Sequence, residues 1–133
     1  MEQLSSLKTT FNGNRCVVNH NGFGWWFTAC PSHISSSYTL KVVYEQNSYP
    51  KVYVVDPMPL TLAKGAKRLP HTYNTEKQHL CLYWPGHREW TESKLISKTI
   101  VHWAIEWLFY YEEWAFSGIW HGGGHGSWDS IPE

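Results

Sequence analysis

RCVVNHNGFGWWFTAC, residues 15–30, contains two strand-like runs, RCVVNH and FGWWFTAC, around the dipeptide Asn21-Gly22. Valine, phenylalanine and tryptophan pack well on a pleated surface. Asn-Gly tolerates the positive φ angles of a tight two-residue turn. A β-hairpin is predicted here, and its register extends outward. YTLKVVYE, residues 38–45, and KVYVVDP, residues 51–57, flank the connection QNSYP. Val52, Val54 and Asp56 alternate with Tyr53 and Val55, as in a sheet with one buried face. These runs predict an antiparallel meander of about four strands.

Beyond it the period breaks. Pro57, Pro59, Gly65 and Pro70 punctuate an irregular connection over residues 58–78, longer than most loops without function. After Trp90 the period becomes helical. Thr91 reads as an N-cap with Glu92 in the first turn. Ile96, Ile100, Trp103, Trp107, Tyr110 and Trp114 form one stripe, and Gly118 is the stop. One long helix, from about residue 91 to 116, should cover the sheet with this stripe as core. The expected class is α+β in one domain, residues 1–133, with an N-terminal stub (1–12) and a Gly-rich tail (about 118–133) anchored by Trp120 and Trp128.

Eleven basic and 11 acidic side chains give a formal charge of +0, with no basic run. That argues against a nucleic-acid-binding face. Nine tryptophans, eight tyrosines and five phenylalanines supply a large core, since each ring buries roughly 150–250 Å². The start, MEQLSSLKTT, has no apolar signal region. Cys16, Cys30 and Cys81 are an odd set at no regular spacing, which suits free thiols in a reducing cytoplasm. The apolar block 95–116 carries Lys98, His102, Glu106, Glu112 and Glu113, which argues against a membrane span. Glu112 and Glu113 read as a solvated face. His121 and His125 stand four apart, but the glycines between them oppose the helix that metal-binding histidines at that spacing need. Neither metal nor cofactor is expected.

HLCLYWPGHREW, residues 79–90, holds the residue with chemical promise. In extended chain His79, Cys81 and Tyr83 share a face, and a neighbouring imidazole could raise the thiolate fraction of Cys81. Free cysteine is also among the most buried residue types. Cys81, however, follows the irregular connection and precedes the turn Pro85-Gly86, a setting typical of functional residues. His71 and Asn74 lie shortly upstream, and a carboxamide there could donate to an oxyanion.

These residues carry a resemblance. His71 and Asn74, then Leu80-Cys81-Leu82, then Trp90 and the following helix resemble the active-site half of ubiquitin-conjugating (UBC-fold) enzymes. YPKVYVVDP resembles a strand of the same family. His-Thr-Tyr-Asn stands here in place of the family's His-Pro-Asn, so Asn74 and His79 compete for the oxyanion role. HLCLYWP, Glu89-Trp90, WLFYYEEW and GIWHGGGH are similar to the bacterial UBC-like proteins of CBASS antiphage operons, over about half the chain. The resemblance implies a UBC-like fold with a catalytic Cys81 that carries an acyl group as a thioester. It also implies a cGAS/DncV-like nucleotidyltransferase, engaged through its C-terminus, as partner, with a separate activating enzyme in some systems. A Cys/His thiol peptidase and a non-catalytic adaptor are the competing readings.

Overall fold

A computed structural model describes residues 2–11, 13–83 and 89–122. The first hairpin forms as expected: β1 (Gly13–Val18) pairs antiparallel with β2 (Gly22–Ala29). Asn19 makes the turn, its Oδ1 accepting the amides of Asn21 (2.8 Å) and Gly22 (2.9 Å). Gly22 is the first residue of β2 and pairs with Glu45. A Cβ there would run into the Tyr44 carbonyl, so close approach of the next strand, rather than turn conformation, demands glycine. β3 (Tyr38–Glu45) and β4 (Lys51–Asp56) complete the meander.

Among the described residues the sheet has six strands, not four. β5 (Thr72–Asn74) and β6 (His79–Leu80) arise within and just after the stretch read as irregular, giving the order β1-β2-β3-β4-β6-β5. They are too short to show a two-residue period, so alternation could not reveal them. The buried Gln78 amide holds this region: it accepts from Leu60 N (2.6 Å) and donates to the carbonyls of Val54 (2.9 Å) and Pro57 (3.1 Å). Backbone groups that would otherwise be unpaired in the interior are thereby satisfied.

The long helix starts later than its sequence pattern suggests. A turn closed by Lys94 N to Thr91 O comes first, Leu95 is extended, Ile96–Lys98 form a 3₁₀ turn, and α2 runs over Ile100–Ser117. The N-terminal segment supplies the reason. It is a nine-residue helix, α1 (Glu2–Thr10), whose Gln3 side chain accepts from Ile96 N (2.8 Å) and donates to Lys94 O (2.9 Å). Ser6 and Ser97 hydroxyls meet at 2.6 Å. The backbone groups that would continue a helix N-terminally are engaged by α1 instead. Gly118 ends α2 in the left-handed conformation (φ 81°), its amide bonded to Trp114 O, as the sequence predicts.

The core joins Leu40, Val42, Val52 and Val54 of the sheet to Ile100, Ala104, Leu108 and Tyr111 of α2. Each aliphatic side chain of this kind contributes roughly 1.5–3 kcal/mol by leaving water. Glu112 is not a solvated residue: it accepts from Ser35 Oγ (2.5 Å) and Tyr38 OH (2.7 Å), tying the 31–37 loop to α2. Among the described residues no helix is long and apolar enough to cross a membrane.

Candidate active site around Cys81

β6 ends at Leu80, so Cys81 leaves the sheet, and the alternation expected through Tyr83 does not continue. Its amide donates to His71 O at 2.9 Å. The same carbonyl accepts Trp107 Nε1 of α2 at 3.1 Å. His71 has φ 48°, a left-handed conformation uncommon for a residue with a Cβ, and two hydrogen bonds to its carbonyl hold it there. One oxygen thus pins the cysteine backbone to the helix.

Cys81 is 2 % exposed yet lies in the wall of a pocket of about 500 Å³, shared with His71, Trp103, Glu106, Trp107 and Trp120. Burial pushes the thiol pKa up, and the Glu89 charge adds to this. The nearby Tyr73 hydroxyl and the Tyr83 backbone act in the opposite direction. Tyr73 OH donates to Tyr83 O at 2.8 Å, and the Cys81 thiol points at the same carbonyl, Sγ to O 3.9 Å. The resting sulfur is a neutral thiol.

His79 stands elsewhere. Its ring lies between Tyr53 (4.7 Å) and Tyr73 (4.9 Å) in a second pocket, about 350 Å³, with Tyr49, Pro50 and Tyr83. Burial, then the Lys51 and Lys77 charges, hold its pKa down at about 4. At neutral pH it is an uncharged imidazole and cannot form an ion pair with a thiolate. Asn74, exposed at the end of β5, accepts Lys77 N at 2.8 Å through Oδ1, which leaves the Nδ2 hydrogens outside that turn. Of the four residues singled out in the sequence, Cys81 and His71 share a pocket, whereas His79 lines the other and Asn74 closes a turn next to it.

Sequence reasoning missed several residues of the site. Trp103 and Tyr110 were assigned to core; both are half-buried and line the Cys81 pocket. The spacing 103, 106, 107, 110 sets a carboxylate among three rings on one helix face, and that interruption of an apolar stripe was the available signal. Tyr73 and Glu89 gave none. Trp120, expected to anchor a flexible tail, stacks on His71 (5.1 Å between ring centres, 19° between planes). His121 Nδ1 lies 2.7 Å from Glu113 Oε1, so neither Glu113 nor His121 is a purely solvated side chain. Trp128 and His125 lie outside the described residues.

A family model described as E2-CBASS, Type II CBASS E2 protein, matches residues 3–127. No curated protein matches the chain.

Proposed function

Since this chain belongs to the Type II CBASS E2 family, whose setting is CBASS antiphage defence, we propose that it is a ubiquitin-conjugating-like acyltransferase with a UBC-type fold. In this reading Cys81 takes the C-terminal acyl group of a cGAS/DncV-like nucleotidyltransferase as a thioester and passes it to an amine. The observation that carries it is the placement of Cys81 in a pocket wall, its amide fixed by the His71 carbonyl, which Trp107 of α2 holds in turn.

A thiol does not have to be acidic for this chemistry. The small thiolate fraction is strongly nucleophilic. It attacks the acyl carbon, the C–S bond forms, and the leaving group departs with its electron pair. An activating enzyme, where one takes part, supplies the acyl group in activated form. In the second half an amine displaces the sulfur. The tetrahedral oxyanion needs a donor, worth about 2.7–4 kcal/mol when well placed. Asn74 through Nδ2 and His79 through its neutral ring N–H are the two candidates, both on the tyrosine side of Cys81. A Cys81–His79 peptidase based on an ion pair would need an imidazolium, and His79 is held neutral; a Cys81–His71 peptidase is the form of that alternative that the test addresses.

The test is incubation with the nucleotidyltransferase, with and without an activating enzyme, followed by non-reducing electrophoresis. A band lost on thiol treatment and absent in Cys81→Ala supports the thioester. A cleaved partner with no adduct at any time supports the peptidase. Binding unchanged in Cys81→Ala, with no covalent species, leaves a non-catalytic adaptor.

A further inference from the structure

The Cys81 pocket has a chemistry of its own. Trp103, Glu106, Trp107 and Tyr110 project from one face of α2, and Trp120 completes the aromatic wall. The Trp120 ring centre is 5.9 Å from those of both Trp107 and Tyr110. Among the described residues that line it, Glu89 and Glu106 are the carboxylates, and none is a lysine or arginine. Aromatic faces attract cations through their quadrupole, most strongly where water is excluded. Carboxylates add to that field. The opposite pocket is lined by Lys51, with Lys77 also acting on His79. The two sides of the cysteine segment therefore differ in the sign of their charges.

We propose that the pocket beside Cys81 is a recognition site for a primary ammonium group, that of the acceptor which takes the acyl chain. The inference rests on the thioester reading and specifies its acceptor. The ammonium sits among the indole faces against Glu106. The Glu106 carboxylate accepts one proton from it, and the neutral nitrogen attacks the thioester carbonyl carbon. A C–N bond forms and the C–S bond breaks, its electron pair remaining on Cys81 sulfur. The sulfur takes up the proton shed by the attacking nitrogen, and the Glu106 proton returns to solvent. A carboxylate or phosphate in the same place would be repelled.

Two measurements test this. In the full chain carrying Cys81→Ser, n-butylammonium chloride is titrated against indole N–H signals, with n-butanol at matched salt as the uncharged control. Saturable shifts at Trp103, Trp107 and Trp120 are expected with butylammonium at concentrations at least tenfold lower than with butanol, and they should weaken about tenfold in Glu106→Gln. Equal responses to the two probes, or shifts indifferent to Glu106→Gln, overturn the site; the first comparison needs no change at Glu106. In the second measurement, the Cys81 adduct is discharged by butylamine or by hydroxylamine, which is uncharged at neutral pH. Glu106→Gln should slow butylamine about tenfold and hydroxylamine less than twofold; equal slowing overturns the acceptor role. Indole shifts without any adduct would instead overturn the thioester reading and leave an ammonium-binding pocket.

Discussion

The two pockets beside the segment 79–83 share Leu82 and little else. One is walled by α2 and the residues after it, with tryptophans and carboxylates; the other by tyrosines, proline and a lysine. Cys81 faces the first and His79 the second, although they are two residues apart. The difference shows what ending a strand does: once pairing stops at Leu80, adjacent side chains can serve separate environments. Both titratable groups are driven to neutrality by burial, the thiol upward and the imidazole downward. Neighbours in sequence do not form an ion pair here.

The largest effect that would sharpen this contrast concerns the walls. Trp107 is 4 % exposed and holds the His71 carbonyl, so Trp107→Ala should cost about 3–5 kcal/mol of stability. Tyr49, 41 % exposed, rims the other pocket, and Tyr49→Ala should cost less than about 1 kcal/mol. Urea denaturation reads both, and similar losses would break the distinction between core wall and rim.

Next comes the side from which the oxyanion is stabilised. Either Asn74→Ala or His79→Ala should slow acyl discharge by about 100–1,000-fold while the other changes it only a few-fold. Single-turnover discharge of the adduct decides between them. Wild-type rates in both variants would remove the tyrosine side from the chemistry.

A smaller effect lies at the hydroxyl that reaches from one side to the other. Tyr73→Phe deletes a hydroxyl whose influence lowers the thiol pKa. The rate of Cys81 alkylation against pH, followed by peptide mass, should shift further alkaline, with a loss of about two- to fivefold at fixed pH, a fraction of the roughly 1 kcal/mol typical of one hydrogen bond. An unchanged profile would separate Tyr73 from the sulfur.

An effect of comparable size is protonic. His79 titrates at about 4 in the fold against 6.5 for the free side chain. Between these values the unfolded chain takes up a proton that the folded chain refuses, so this contribution to stability falls as pH drops from 6.5 toward 4 and is constant above. With the ring partly open to solvent, the total loss across this window should amount to on the order of 1 kcal/mol. Denaturation midpoints against pH, compared with His79→Gln, measure it.

The long strands and the helix stop were legible because they rest on local rules: alternating burial in β2–β4, and a glycine at 118. The helix start was not, because it depends on a side chain more than ninety positions away: Gln3 bonds Ile96 and Lys94. β5 and β6 escaped for a related reason, their geometry being held by the Gln78 amide rather than by a repeating pattern. At the site, Cys81 stood out by residue type and context. Its neighbours did not, because Glu106 and Trp120 reach it only through tertiary folding, and a tryptophan in an apolar stripe reads as core.

The His71 carbonyl, which accepts from both the Cys81 amide and the Trp107 indole, gives the molecule a built-in reporter. An isotopically labelled oxygen–carbon pair at that one peptide group would vibrate at a frequency lowered by two donors. Withdrawal of the helix would remove one of them and move the band back upward. Infrared difference spectra could then follow a shift of α2 during turnover without altering a single side chain near the sulfur.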